Sequence, residues 1–301
     1  MSVADLARYE LAVPRALPEA CQLLAARVAS GEPTLLCAGG TDLLVELGMA
    51  PPLGAGARPP LCVDLSRLPE LGGVERVDRD GPRIRIGAGV SYLALGRHAL
   101  VEGALPLLAR MSHDIGGPTI QARGTLGGNL ATGSPAADGV AALAAHDATV
   151  VLTSVRGERR VPFAGFQTGY KRSVRQADEI ITAFELEPLA PGSPWCWRKV
   201  GARQAQAISK VAFAAVAELE GGRARRFGAA MASMAPVTAT LPATRALVLG
   251  TPLAGLDGEA LDRAVAADTS PIDDIRSTRA YRAHAARALA RGFLRELGAA
   301  V

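Results

Sequence analysis

The apolar residues near the start of the chain change from helical to strand-like spacing within a short distance. Residues 18–30 place apolar side chains on one helical face, with Pro18 suited to the first turn and Gly31 to the end. The run Thr34–Cys37 then predicts a buried strand, because it is short and continuously apolar. Helical spacing returns after Asp42, which is a favoured N-cap residue, so a second helix is expected to begin there.

Short strand patterns continue along the next part of the chain. Strands are predicted at 62–65, 83–91, 149–153 and 179–186, and the second of these alternates apolar and polar positions. Ser91 is expected to cap a helix that continues through Leu95 and Ala99.

The segment EPLAPGSP, residues 187–194, marks a predicted boundary, because proline, glycine and serine interrupt both kinds of pattern. Beyond it, WCWRKV predicts a strand and residues 278–297 predict a long amphipathic helix. The spacing of Ile208, Val211, Ala212 and Ala215 predicts another helix. The expected domains are therefore 1–190, with α/β character, and 191–301, with α+β character.

Composition and charge narrow the classes of function. The chain has 301 residues, of which 49% are hydrophobic, and this length suits two globular domains. Its 33 basic and 29 acidic residues leave a net charge of +4, which is too small and scattered to indicate a nucleic-acid surface. Neither a secretory signal nor an apolar run of about 18 residues is present, so a cytoplasmic protein without a membrane span is expected.

The cysteines and histidines lack the spacing of a metal site. Cys21, Cys37, Cys62 and Cys196 are far apart and form no C-x-x-C pair, so they are expected to be ordinary buried thiols. The four histidines show no metal-like spacing either. No metal site and no iron–sulfur cluster are predicted in this chain.

The stretch LLCAGGTDLLVELG, residues 35–48, places nearly bare backbone between a strand and a helix. Free N–H groups in such a turn can approach a phosphate closely. The same pattern also suits a tight turn that binds nothing, because glycine turns are common.

A second stretch of this kind, GTLGGNLATGSPAAD, occupies residues 124–138. Thr125 and Asn129 can donate hydrogen bonds to phosphate oxygens, and Asp138 can accept from ribose hydroxyls or from a donor on a ring. Two such loops in one α/β region indicate a pyrophosphate-containing ligand. Neither loop has the pattern of a P-loop or of a Rossmann dinucleotide fingerprint.

These two stretches resemble the paired flavin-binding motifs of the FAD-binding subunits of molybdenum hydroxylases, the family of xanthine dehydrogenase and carbon monoxide dehydrogenase. The resemblance continues in order through FQTGYKRS, ADEIITAFEL, RKVGARQAQAISKVAFAA and PIDDIRSTRAYR. It implies an α+β protein with a two-subdomain FAD-binding fold of the PCMH/vanillyl-alcohol-oxidase type. A C-terminal α+β domain of the CO dehydrogenase flavoprotein type would pack over the flavin.

The resemblance also implies which residues bind FAD, and it assigns no catalytic residue to this chain. The first motif would wrap the diphosphate with Leu36, Cys37, Ala38, Gly39, Gly40, Thr41, Asp42 and Leu43. The second would supply Thr125, Gly127, Gly128 and Asn129 to the diphosphate and ribityl region, with Asp138 at the matching acidic position. Three further positions would be Ile115 (or its neighbour Gly116) beside the flavin, Ile181 through its backbone, and Lys199.

Two of the candidate residues have plain alternative interpretations. Lys199 either stabilises negative charge on the flavin or diphosphate, or is an ordinary solvated lysine. Tyr170 either stacks or hydrogen-bonds at the site, or is a core aromatic with a polar tip.

The implied function is electron transfer within a larger enzyme. A small subunit with [2Fe–2S] clusters and a large subunit with the molybdenum cofactor would be the partners, in a heterotrimer or its dimer. Electrons would pass from the clusters to FAD on this chain and then to NAD or another acceptor. The substrate at molybdenum is left open. A stand-alone flavin oxidoreductase and a non-catalytic scaffold with structural glycine loops remain as alternatives.

Overall fold

The first unit of the fold is a small parallel sheet with two helices. A computed structural model describes residues 9–50 and 58–301, so residues 1–8 and 51–57 of the predicted first domain lie outside the description. The sheet has the strand order β1-β3-β2 and is parallel throughout. Its elements are β1 (Leu11–Ala12), α1 (Leu17–Ala29), β2 (Thr34–Cys37), α2 (Leu43–Met49) and β3 (Leu61–Asp64). The predicted helix at 18–30, the strand at Thr34–Cys37 and the helix after Asp42 are confirmed.

The second unit is built on a larger, antiparallel sheet. Its strands are β4 (Val74–Asp78), β5 (Pro82–Gly87), β6 (Thr149–Ser154), β7 (Gly157–Pro162) and β10 (Ile180–Leu186), and a separate two-stranded ribbon comprises β8 (Gln167–Gly169) and β9 (Arg172–Ser173). The larger sheet has the order β4-β5-β10-β6-β7. Every residue of the central strand β10 is buried, because both of its faces and both of its edges are covered.

Six helices lie between β5 and β6 in the chain. They are α3 (Tyr92–Leu95), α4 (Ala99–Ala104), α5 (Pro106–Ser112), α6 (Pro118–Arg123), α7 (Leu126–Thr132) and α8 (Asp138–Ala145). Ser91 caps α3 by accepting the N–H of Ala94, as predicted. The alanine-rich helix α8 is buried along its whole length, which its small side chains permit.

The buried carboxylate of Glu185 on β10 shows how this sheet accommodates charge. Oε1 of Glu185 accepts from Arg85 at 3.0 Å, and Oε2 accepts from Arg160 at 3.1 Å. A carboxylate buried in this way is tolerated only when it is paired and hydrogen-bonded. Arg85 extends from β5, which is adjacent to β10, and Arg160 extends from β7, on the far side of β6, so the ion pairs also tie these two strands to β10.

The third unit is a three-stranded antiparallel sheet with three helices. Its elements are β11 (Trp195–Val200), β12 (Val211–Glu220), β13 (Arg223–Ala232), α9 (Pro242–Gly250), α10 (Gly258–Asp268) and α11 (Arg279–Glu296). Thr278 caps α11 by accepting the N–H of Tyr281, which confirms the long helix predicted for 278–297. The division of the chain at residue 190 stays a prediction.

The predicted helix around Ile208 to Ala215 is wrong, because residues from Val211 onward form the central strand β12. Alternate side chains of β12 enter different cores. Ala212, Ala214 and Val216 pack in the core shared with the first two units, whereas Phe213, Ala215 and Ala217 pack in the core with α9, α10 and α11. A strand buried on both faces loses the alternation of apolar and polar residues, and its short apolar run also matches a helix.

Candidate functional site: a cavity between two glycine loops

A cavity of about 780 Å³ lies between the parallel-sheet unit and the antiparallel-sheet unit. It is lined by the loop after β2, by the segment before β4, by the loop after β5 and by the start of β10, together with α6 and α7. This volume lies within the range of cofactor pockets, which are about 300–1,000 Å³.

The loop after β2 presents open backbone to this cavity. Gly40 has φ +76°, a left-handed conformation that favours glycine. The N–H groups of Gly39, Gly40 and Thr41 have no acceptor among the described residues. Successive N–H groups around a left-handed residue form a concave site for an anion. This first glycine loop, residues 38–42, therefore has the donors that the sequence predicted.

The loop that contains Gly127 and Gly128 uses its backbone differently. Thr125 caps α7 by accepting the N–H of Gly128 at 3.0 Å. The N–H of Gly127 donates to the carbonyl of Ala88 at 2.9 Å, and that of Asn129 donates to the carbonyl of Thr125 at 3.0 Å. In this second glycine loop, residues 125–129, the N–H groups of residues 126–129 thus already have acceptors within the protein.

The first glycine loop packs against the end of α6, directly before the second glycine loop. A Cβ atom on Gly39 would lie 2.0 Å from the carbonyl oxygen of Arg123, so only glycine fits there. Asp42 does not cap α2 with its side chain. Instead, its Oδ2 accepts from the hydroxyl of Thr132 at 2.8 Å, at the far end of α7. The contacts fix the spacing between the loops and so the width of the cavity.

Most of the residues predicted to bind the cofactor surround this one cavity. The predicted residues that line it are Leu36, Ala38, Gly39, Gly40, Thr41, Asp42, Leu43, Ile115, Thr125, Gly127, Gly128, Asn129 and Ile181. Cys37, Asp138 and Lys199 are not among the lining residues. Cys37 instead faces a smaller cavity of about 210 Å³ behind the first loop, and burial raises the pKa of its thiol.

Asp138 and Lys199 form a buried ion pair. Nζ of Lys199 lies 2.6 Å from Oδ2 of Asp138 and donates to the carbonyl of Asp114 at 2.9 Å. Burial raises the pKa of Asp138, and the Lys199 ammonium opposes that shift. The pair joins the first turn of α8 to β11. Both side chains are thus engaged with each other, and their assignment to a cofactor stays a prediction.

Tyr170 lies away from the cavity. Its side chain is 60% exposed in the turn between β8 and β9, so it is not the core aromatic of the plain alternative. The adjacent Lys171 pairs with Glu46 of α2 at 2.7 Å.

Several lining residues were not predicted from the sequence. Arg123 and Ile120 belong to α6, and Arg175 precedes β10. Tyr92 also lines the cavity, and its hydroxyl is buried without a hydrogen-bond partner among the described residues. The position of Tyr92 directly after the predicted cap Ser91 was the available signal.

The described residues contain no group of three or more His, Cys, Asp or Glu side chains able to hold a metal ion. The four cysteines are free thiols. No helix in 9–50 or 58–301 is long and apolar enough to cross a membrane.

Comparison with protein families matches two segments of the chain. Residues 7–188 match the FAD binding domain in molybdopterin dehydrogenase, and residues 197–297 match the CO dehydrogenase flavoprotein C-terminal domain.

Curated relatives match over nearly the whole chain. The xanthine dehydrogenase FAD-binding subunit of Escherichia coli O157:H7 is 30% identical over 98% of this chain and 97% of its own length. The carbon monoxide dehydrogenase medium chain of Hydrogenophaga pseudoflava is 28% identical over 91% of this chain and 92% of its own length.

A solved structure shows the same fold. A chain of the carbon monoxide dehydrogenase of Hydrogenophaga pseudoflava, in a form that lacks the Mo-pyranopterin moiety of the molybdenum cofactor, superposes with a TM-score of 0.86. It is 28% identical, and the match covers 96% of both chains.

Proposed function

Because the chain belongs to the FAD-binding subunits of the molybdenum hydroxylases, the family of carbon monoxide dehydrogenase and xanthine dehydrogenase, we propose that it binds one FAD non-covalently in the cavity between its glycine loops. The observation that carries the proposal is the convergence of both loops, far apart in sequence, on one cavity of about 780 Å³. When bound, FAD supplies a centre that accepts and returns electrons.

The residues of the cavity fit the chemically distinct parts of this cofactor. The unpaired N–H groups of Gly39, Gly40 and Thr41 suit the oxygens of the diphosphate. Arg123 lies on the same wall and adds a positive charge. The apolar side chains of Ile115 and Ile181 line the cavity as well and suit a flat ring system that must be shielded from water.

The second glycine loop has a supporting role in this proposal. The N–H groups of residues 126–129 are occupied, so this loop holds the cavity wall in place and offers mainly side chains. Thr125 and Asn129 are the side chains that remain to bind an oxygen of the cofactor.

The proposed role in the cell is electron transfer between subunits. A [2Fe–2S] subunit would deliver electrons and a molybdenum subunit would carry out the hydroxylation, in a heterotrimer or its dimer. NAD or another acceptor would take the electrons from this chain. The support is the naming of the relatives as an FAD-binding subunit and a medium chain. The cytoplasm as its compartment stays a prediction of the sequence.

The test begins with the purified full chain. We expect a yellow protein with one flavin per chain, and acid or heat should release all of that flavin into solution. Flavin that stays attached to denatured protein would contradict the non-covalent binding, and a colourless chain that takes up no added FAD would support the scaffold alternative.

The second part of the test separates flavin chemistry from substrate chemistry. The isolated chain should hydroxylate no purine or N-heterocycle, because the hydroxylation centre is expected on a partner. The complex isolated with its partners should show that activity in rapid-mixing experiments. Turnover by the single chain at the rate of the complex would favour a stand-alone flavin enzyme.

A further inference from the structure

Two polar atoms without hydrogen-bond partners lie in the wall of the cavity, next to the second glycine loop. The hydroxyl of Tyr92 and Oδ1 of Asn129 are both buried and have no hydrogen-bond partner among the described residues. Tyr92 is only 2% exposed, and both residues line the cavity. Leaving a buried polar group unpaired costs about 1–3 kcal/mol, so each such atom requires an explanation.

The two oxygens converge on one small space beside Gly139. A Cβ atom on Gly139 would lie 2.3 Å from the hydroxyl of Tyr92 and 2.8 Å from Oδ1 of Asn129. Glycine in the first turn of α8 therefore leaves room for both oxygens. The backbone conformation does not require glycine there, because its φ lies outside the left-handed region.

The chemistry of the two groups is complementary. The amide oxygen can only accept, and a phenol can donate its proton. Burial raises the pKa of Tyr92 well above its usual value, and the charges of Asp138 and Asp42 raise it further. Tyr92 therefore keeps its proton and remains a donor.

We infer that Tyr92 is a positioning residue: with the cofactor bound, its hydroxyl donates to Oδ1 of Asn129, which lies near it but is not hydrogen-bonded to it in this structure, and turns the amide NH₂ group of Asn129 toward the cofactor. Asn129 then contributes a donor to an oxygen of the diphosphate–ribityl part of FAD. This inference rests on the proposed function, because it assumes that FAD occupies the cavity.

Asp138 is the competing acceptor for the same proton. Its Oδ1 is also buried without a partner. However, its other oxygen already pairs with Lys199 at 2.6 Å, and Asp138 does not line the cavity. The structure thus favours Asn129, and the experiment includes Asp138 as an arm.

The experiment is a double-mutant cycle on the full chain, stripped of flavin and titrated with FAD. We expect Tyr92→Phe and Asn129→Ala each to weaken FAD binding by about tenfold, which is the contribution of one hydrogen bond. The double variant should bind no more than about twofold more weakly than Asn129→Ala, because Tyr92 acts only through Asn129. Tyr170→Phe removes an exposed hydroxyl as the matched control and should change nothing.

Several outcomes would overturn the inference. These are additive losses in the double variant, unchanged binding in Tyr92→Phe, or coupling of Tyr92→Phe with Asp138→Asn instead of Asn129→Ala. A native chain that takes up no FAD would overturn the proposed function and the inference with it.

A second variant tests the same space while the hydroxyl of Tyr92 is still present. Gly139→Ala places a methyl group between the two oxygens and should also weaken FAD binding by about tenfold. Adding Tyr92→Phe removes the closer of the two contacts, so the double variant should recover thermal stability without recovering affinity. Recovery of full affinity would show that the hydroxyl of Tyr92 does not position Asn129.

Discussion

The two glycine loops have similar sequences but use their glycines in different ways. In the first loop, Gly40 has φ +76° and the N–H groups around it are unpaired. In the second, Gly128 lies inside α7 and its N–H is bound by the cap Thr125. Each loop also has one glycine that fits where no other residue would, Gly39 against Arg123 and Gly127 against Ala88.

Glycines in such a pair can serve two different purposes. One glycine of each pair permits close packing, which is a matter of stability. Only the first loop adds a left-handed glycine with free donors, which is a matter of ligand binding. The comparison predicts that substitutions at equivalent positions have unequal effects on stability and on flavin affinity.

The largest effect is expected where the first loop packs against the end of α6. Gly39→Ala places a Cβ atom 2.0 Å from the carbonyl oxygen of Arg123, so the first loop and the end of α6 must separate. We expect the free energy of unfolding to fall by about 3 kcal/mol or more, at the upper end of overpacking costs. Denaturant unfolding measures this. Gly103→Ala is the control, because a Cβ atom there has no neighbour within 4 Å, and a loss as large in that variant would refute the packing role of Gly39.

An effect of intermediate size is expected at the helix that supports the second loop. The second loop belongs to α7, which packs against α8, and the cap residue at the end of α8 is the buried His146. Burial and the nearby Arg226 lower the pKa of His146 from 6.5 to about 3. Between these values the unfolded chain binds a proton that the folded chain does not. The contribution of His146 to the free energy of unfolding is therefore fully present above pH 6.5 and is lost as the pH falls towards 3.

We expect His146 to account for a loss of about 2 kcal/mol between pH 7 and pH 5. Unfolding of the native chain and of His146→Leu at the two pH values measures this. The leucine variant should lose much less stability on acidification. His284→Gln, at an exposed position, should behave like the native chain, and an equal acid loss in His146→Leu would exclude His146 as the cause.

The smallest expected effect is on ligand affinity without loss of fold. Gly40→Ala forces a side chain into a left-handed conformation, at a cost of about 1–2 kcal/mol, beside the unpaired donors. FAD affinity should fall by about tenfold. Gly128→Ala lies in a helix without positive φ, and its Cβ atom would lie 3.0 Å from Oγ1 of Thr125, a side-chain atom that can shift slightly, so its effect should stay below about threefold. Titration of both variants with flavin measures these affinities. Equal losses of FAD affinity would mean that the two loops do not use their glycines differently.

The sequence predicted the candidate site better than it predicted the role of each residue in it. The glycine pairs and the residues beside them were recognisable because two loops of the same kind occur in one α/β region, although one such loop alone also suits a turn that binds nothing. Asp42 was expected to cap α2, but its carboxylate binds Thr132 across the cavity. Such a partner, ninety positions away along the chain, cannot be identified from local spacing.

Sequence alone determined the family, the two glycine loops and most of the helices and strands, because these depend on local patterns and on motifs of fixed spacing. Tertiary structure decided which backbone donors stay free, that β12 is a strand, and that Tyr92 and Asn129 meet at Gly139. Those outcomes depend on which side chains and backbone atoms meet when the units pack. Because β12 is buried on both faces, its sequence lacks the alternation of apolar and polar residues that marks a strand. A hydrogen bond between segments far apart in the chain produces no pattern in the local sequence.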